Sequence, residues 1–507
     1  MVRRALAVLL SILASGCSTH WRAAFAQPKD YAQLRDEPFL KAHMADGSVY
    51  VLQKWRVSTA ERTLGGDGLH YDANRSKGVE GSWTLPFDEV ALVETNQPET
   101  VTDTGLILLG VVTGVSLVLS AVCLTNRKAC FGSCPTFYSR PDGPILAEGF
   151  SSSIARTLEA TDIDALPIEL GAAGPTVSLW MKNEALETHV VRSVRLLAVP
   201  LGEGGRVVRA SDGYFNLQAL SGPTTCRAQG QDCTAKVSSA GDEAELRSET
   251  TGTDLGAPET VELEFANHPE GRLGVVLRAR TSLVETYAFY QLMAYLGRRA
   301  DDWFLQLERM GAKGKELVEA VGGVLGRIDV EVQTRAGWKS AGAFQEVGPL
   351  AFDELVLPIA AELPAGPVRV RLTLAQGAWK IDQVALASLG PAVKAVPVEL
   401  TAVSRRDQLL PQVTRALLSR SAPLVTYPGD LYRMDFQLPP GKHQLFLESR
   451  GYYYEWQRED WLAEESAELF VDAVWNPGAY LKRIAPAYKR LEPAIEDLFW
   501  NSRVEAK

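Results

Sequence analysis

Cysteine, histidine and methionine are scarce in this chain, with six of each in 507 residues. The histidines (His20, His43, His70, His189, His268 and His443) lie far apart, so no H-E-x-x-H zinc helix can be written. No C-x-x-C pair occurs, which removes thioredoxin-type redox chemistry. "GAKGKE" lacks the Walker spacing and the hydroxyl residue after its lysine, and "GGVLG" comes after no strand-like run. No G-x-S-x-G nucleophile elbow is present. Basic residues are outnumbered, for a net charge of −10, and no Lys/Arg cluster stands out. Phosphate contacts need such clusters, so nucleic acid is excluded as a partner. Fixed-period repeats and low-complexity tracts are also missing. What remains, at 46% hydrophobic and 22% charged residues, is ordinary folded protein of several domains.

The opening "MVRRALAVLLSILASGC" has two arginines, an apolar run and small residues before Cys17, the layout of a secretory signal peptide over 1–16. Leu13-Ala14-Ser15-Gly16-Cys17 resembles the bacterial lipobox. That resemblance implies cleavage before Cys17 and acyl chains on it, a stable anchor in a lipid bilayer at about 0.8 kcal/mol per buried methylene. Loss of Arg3 and Arg4 with the leader takes the net charge two units lower. A polar tether comes next, over 17–37.

Gly105 to Leu124 is the longest uncharged apolar run, twenty residues, enough for a helix of about 30 Å and hence for a second contact with the bilayer. The alternative is a buried helix, because three glycines dilute it. Its orientation is in conflict. Arg127 and Lys128 behind it favour a cytoplasmic side for residues 126–507, whereas the cysteine pairs in that same stretch favour an oxidising side.

The rest reads as mainly β. We expect several small β-barrel or β-sandwich modules, a hydrophobic helix, a central helical segment and a helical C-terminal tail. Asp46-Gly47 between two strand-like runs signals a hairpin in a small β domain over 38–97. A β-sandwich-like domain is expected over 130–281. Within it Val261, Leu263 and Phe265 alternate with Glu262 and Glu264, as in a sheet with one solvated face. Helical periodicity covers 282–324, where Tyr287, Phe289, Tyr290, Tyr295, Trp303 and Phe304 are assigned to packing. Over 326–390, "VRVRLTL" and "WKIDQVAL" around Gly377 suggest a hairpin that resembles those of jelly-roll, galactose-binding-like sandwiches. Residues 396–507 read as a β region plus the helical tail. Its "GYYYEWQREDW" could serve as an aromatic platform for sugars, but Tyr452, Tyr454 and Trp456 share one strand face, which favours packing.

Cys17 apart, the cysteines are Cys123, Cys130, Cys134, Cys226 and Cys233. Zinc would need four ligands, and the first three have no nearby histidine to complete them. "CFGSCP" resembles the motif around the nucleophile of papain-like peptidases, with His268 lying 134 residues beyond Cys134. Phe131 and Pro135 break the match, since an aromatic should open the catalytic helix where Pro135 stands. Disulfides Cys130–Cys134 and Cys226–Cys233 are the simpler assignment, although spacing alone does not fix connectivity.

"KACFGSCPTFYS", "AEGFSSSIARTLEATDIDAL", "MKNEALETH" and "LFLESRGYYYEW" together resemble a family of uncharacterised bacterial lipoproteins, over about Phe39 to Asn501. The resemblance supports the domain organisation and implies no chemistry. The expectation is therefore a membrane-anchored, periplasm-facing envelope lipoprotein. Its role would be non-catalytic binding or assembly, with no cofactor or metal and with an envelope protein or glycan as partner. The alternative is a cysteine peptidase using Cys134 and His268.

Overall fold

The structure is a computed structural model that describes residues 19–26, 39–44, 46, 48–72, 78–100, 134–167, 174–202, 205–266, 271–297, 300, 303, 307, 309–311, 324–455, 464–504 and 506. The chain is mainly β and divides into two compact units. The smaller takes residues 1–129, 293–305 and 457–467, and the larger takes 130–292, 306–456 and 468–507. Cys17, Cys123, Cys130, His268 and the apolar run 105–124 lie outside the described residues. Among the described residues no helix is long and apolar enough to cross a membrane.

In the smaller unit six antiparallel strands form one sheet, in the order Thr19–Ala26, Val90–Thr100, Phe39–Met44, Val49–Ser58, Thr63–Tyr71, Gly78–Pro86. The expected hairpin is present: Leu40 faces Leu52, and Asp46 accepts from the Ser48 amide (2.9 Å) and hydroxyl (2.6 Å). Val93 and Leu85, from strands far apart in that order, fall in one core with Leu40, Leu52 and Leu64, so the sheet curls. Gly66 and Gly68 let their strand lie close against the backbone of Val51–Trp55, and Gly81 makes room for the Trp83 ring, whose indole N–H donates to the Gly68 carbonyl at 3.0 Å. His70 stacks on Tyr50 beside it, at 4.3 Å between ring centres.

The larger unit holds four sheets in two modules, and their boundaries correct the expected ones. The first module joins residues 134–200 to 396–455. Its long strands Glu187–Pro200 and His443–Glu455 pair antiparallel, and Ala160–Ala165 extends that sheet beyond the second of them. Thr176–Lys182 and Leu431–Gln437 centre its other sheet, which ends on Thr136–Tyr138 and Ile145–Glu148. The second module is a β-sandwich built from 206–281 and 327–393. Pro258–Phe265 pairs with Val368–Ala375, and Arg272–Thr281 pairs with Trp379–Val393. The expected separate domains 130–281 and 326–390 therefore do not exist: each contributes strands to both sheets of one sandwich.

The expected hairpin at Gly377 is also replaced. Val368–Ala375 and Trp379–Val393 belong to different sheets, and the left-handed Gly377 (φ +81°) helps the chain arch between them. The sides of Val368–Ala375 explain this. Val370 and Leu372 are fully buried, while Arg369 and Arg371 reach across to Glu264 (2.8 Å) and Glu262 (3.1 Å) on the solvent face. A strand of this alternation fits beside Pro258–Phe265, which carries the complementary pattern. The near-continuously buried Trp379–Val393 belongs in the interior sheet instead.

Two C-terminal helices, Pro477–Leu491 and Ile495–Ser502, pack on the larger unit. Within Pro477–Leu491, Tyr480, Leu481, Ile484, Ala485, Tyr488 and Leu491 make one buried stripe at helical spacing. Glu492 caps the Thr250 amide at 2.9 Å, and Glu496 in Ile495–Ser502 meets the buried Lys380 ammonium at 2.7 Å. The Val504 amide then donates to the Glu184 carbonyl at 2.7 Å, so the tail bridges both modules.

Candidate functional site

The two modules of the larger unit meet at a seam lined with acids. Ile145–Glu148 ends on Glu148, which is fully buried. Its Oε1 accepts from the Leu350 amide at 2.7 Å and the Ala351 amide at 3.1 Å, across the seam. Gly348 (φ +90°) lets this loop approach, because a Cβ there would collide with the Glu148 carboxyl group. The Ser151 hydroxyl donates to Glu346 at 2.9 Å, from the module opposite.

Asp162 and Asp164 alternate on Ala160–Ala165, so both face the same side of that strand. Asp353 opens Asp353–Pro358 and crosses to them, its Oδ1 accepting from the Ala165 amide at 3.0 Å. Its Oδ2 accepts from the Arg209 guanidinium at 2.9 Å. Glu285, in the first turn of helix Leu283–Leu296, adds a further acid next to Glu346. Asp164 Oδ2 and Glu148 Oε2 are buried with no hydrogen-bond partner.

Charge follows from this geometry. Burial holds the Asp162 carboxyl up to about 7, with Glu346 and Asp353 adding like-charge repulsion and Arg209 opposing it. Burial also raises Asp164 well above the carboxylate range, reinforced by Asp162, Asp353 and Glu148. Glu148 is raised by burial, against the pull of its two amide donors. Glu285 and Glu346 shift the same way, again through burial. Several carboxyls sharing one guanidinium cannot all ionise at low cost, so burial and like-charge repulsion both favour the neutral acids here.

Cys134 sits near this seam as a buried free thiol. The expected Cys130–Cys134 bridge is therefore not formed; Cys134 enters a packed β-module, where Pro135 and Thr136–Tyr138 come directly after it. Burial pushes its thiol upward, and Glu148, Glu187 and Glu346 push it further. A nucleophilic cysteine needs the opposite, a neighbouring cation or helix N-terminus that favours thiolate. Cys226 and Cys233 do form a disulfide, with their Cα atoms 4.9 Å apart across the turn Thr225–Ala228 to Gln231–Asp232.

Aromatics expected to pack are found inside. Tyr452 and Tyr454 meet edge-on at 5.4 Å and are buried with Tyr453, which leaves no exposed sugar platform among the described tyrosines of that strand. Tyr287, Tyr290 and Tyr295 are likewise buried, and the Tyr290 hydroxyl donates to Glu455 at 2.6 Å. Among the described residues no group of three His, Cys, Asp or Glu side chains is arranged to hold a metal ion. The acid seam has little signature in the sequence. Its local signal is "TDIDA", two acids on one face of a short strand, which looks no different from a solvated edge until the partner module is placed.

One surface feature stands apart. Helix Ala467–Trp475 is apolar around most of its circumference, yet of its residues only Ala473 is fully buried. Trp475 is 77% exposed and Val471 52%.

Neither a family model nor a curated protein matches the chain. Among solved structures, a carbohydrate-binding module in complex with β-1,4-galactotriose is similar at 12% identity, over 33% of this chain and 90% of that one, with a TM-score of 0.16. An exo-β-1,3-galactanase from Phanerochaete chrysosporium is similar at 10% identity, over 69% of this chain and 68% of that one, with a TM-score of 0.18. Likeness at that level carries no functional argument, and the chain stands on its own residues as a mainly β protein of sheets and sandwich modules.

Proposed function

We propose that this protein is a non-catalytic binding or assembly module of the bacterial envelope, held to the membrane through acyl chains on Cys17 and facing the periplasm. The placement is supported by the Cys226–Cys233 disulfide, because such bridges persist in oxidising compartments and are rare in the cytosol. It also bears on the orientation conflict, since a cytoplasmic larger unit would keep those thiols reduced. The binding half rests on helix Ala467–Trp475, where a tryptophan and a valine stand in water. Val471 and Trp475 are four residues apart, so they share one edge of the helix and offer it as an apolar contact for another molecule. The unfavourable setting of the Cys134 thiol weighs against the peptidase alternative.

The test uses the full chain in its own cell. A photo-crosslinking residue replaces Trp475, and a second copy carries it at the exposed Arg335 on a hairpin turn. Crosslinks to one envelope component from position 475 and not from 335 are expected. Equal or absent crosslinking at both positions would overturn the binding half, and a cytoplasmic protein as the trapped partner would overturn the placement.

A further inference from the structure

Two arginines stand at left-handed positions on either side of a short helix, next to leucines exposed to water. We propose that this hairpin and helix, residues 400–420 of the first module, form a docking surface for a bilayer that carries anionic phospholipid.

Strands Leu400–Arg405 and Gln408–Leu409 make a tight hairpin at the edge of their sheet, with Arg405 opposite Gln408 and two residues between them. Those two, Arg406 and Asp407, are both left-handed, at φ +48° and +61°. Asparagine and glycine fill such a turn at least cost. Helix Pro411–Ser419 comes next, and its C-cap Arg420 is left-handed as well, at φ +54°, again a position suited to glycine. Backbone strain of this kind gathers where a side chain meets a ligand. Between the two strained arginines, Leu409 is 66% exposed and Leu418 43%. Pro411, Arg415 and Leu418 line one exposed stripe of the helix at i, i+4, i+7 spacing, while Thr414 and Leu417 face inward.

Charge on this strip runs against the rest of the chain. Residues 400–420 hold four arginines and one acid, Asp407, in a protein of net charge −10. Arg405 is committed to Asp430, the buried acid on which Arg406 also bears. Arg406, Arg415 and Arg420 are exposed and have no ion-pair partner among the described residues; Arg415 donates to the Pro411 carbonyl of its own helix at 3.4 Å. Arg406 and Arg420 flank a nine-residue helix of about 13 Å, too spread to converge on one small anion. A headgroup layer fits better: phosphates meet the guanidinium groups while Leu409 and Leu418 enter the acyl boundary. Each basic residue at such a surface strengthens attachment about fivefold. In the cell this bilayer would be the one that holds Cys17, so the biological setting rests on the placement proposed above, whereas contact with vesicles does not.

Full-length protein reconstituted into vesicles tests the surface. One set of vesicles is phosphatidylcholine alone, and the other contains phosphatidylglycerol as well. A photo-activatable apolar residue replaces Leu418, and a control copy carries it at the exposed Arg335. Lipid adducts at 418 should form at least about fivefold more readily on the anionic vesicles and lose that gain in high salt. Position 335 should give few adducts on either. Arg406→Gly/Arg420→Gly should lower the anionic yield about fivefold per arginine removed. That variant should melt no lower than wild type, because glycine relieves both left-handed positions. Equal yields on the two kinds of vesicle, yields indifferent to salt, or adducts to a second copy of the chain in place of lipid would each refute the docking surface. A lower melting temperature of the glycine variant would give the arginines a duty in the fold and refute it too.

Discussion

Replacing Glu148 separates its two duties, accepting hydrogen bonds and holding a proton. Glu148→Ala strips the acceptor from two buried amides, Leu350 and Ala351, which lose bonds of 2.7 and 3.1 Å. An unsatisfied buried donor costs about 1–3 kcal/mol, so the variant should lose about 2–6 kcal/mol at any pH. Glu148→Gln keeps an oxygen at the acceptor position and has no proton to lose. It should cost under about 1 kcal/mol near pH 5.5, because burial favours the neutral acid and the acceptor oxygen is kept. As pH rises, the unfolded native chain ionises Glu148 first and wild type loses stability, at up to about 1.4 kcal/mol per unit for one group. Gln does not share that loss. Between about pH 5.5 and 7.5 the balance should therefore move in favour of the variant. Urea unfolding of the full-length protein in detergent, monitored by tryptophan fluorescence at both pH values, measures this. A Gln variant as unstable as Ala at both values would show that Glu148 must be ionised, and the reasoning about the seam would be wrong.

Other expectations rest on single contacts. Opening the Cys226–Cys233 bridge, which closes a loop of separation 7, should cost about 2–3 kcal/mol by loop entropy, read as a lowered melting temperature in reductant. Cys134 should resist iodoacetamide in the native protein and react on unfolding; peptide mapping that finds it alkylated in the native state would contradict its burial. Glu496→Ala takes away the 2.7 Å partner of the buried Lys380 ammonium and leaves it Glu245 at 3.9 Å, so it should cost up to about 3 kcal/mol. The double variant Lys380→Met/Glu496→Leu should recover most of that loss, as calorimetry would show. Trp475→Ala should change stability by less than about 0.5 kcal/mol, as expected for an exposed side chain with no structural duty.

Local pattern carries much of the architecture. The alternation of Val261, Leu263 and Phe265 against Glu262 and Glu264 announces a half-solvated strand, and that is where they sit. Asp46-Gly47 likewise announces its hairpin. Pairing partners are hidden, because nothing in residues 258–265 says that their neighbour is 368–375, more than a hundred positions away. The Gly377 turn misleads for a related reason: two adjacent strands joined by a glycine look alike whether they pair or arch between sheets. Burial of both faces of Trp379–Val393 is what separates the two cases, and its buried Lys380, Asp382 and Gln383 hide that in the sequence. The seam is invisible for a stronger reason. Glu148, Asp162, Asp164, Glu346 and Asp353 are polar residues spread over two hundred positions, and only the assembled modules remove them from water. The disulfide between Cys226 and Cys233 is legible, because a separation of seven in a polar turn leaves little else for them to meet.

Thiol labelling in intact cells and in spheroplasts, with the redox state of each cysteine resolved by peptide, tests the placement most directly. The account predicts Cys226 and Cys233 bonded to each other in both preparations, and the larger unit cleaved by added protease in spheroplasts. Both cysteines found reduced, in a chain that protease reaches only after the inner membrane is broken, would contradict it.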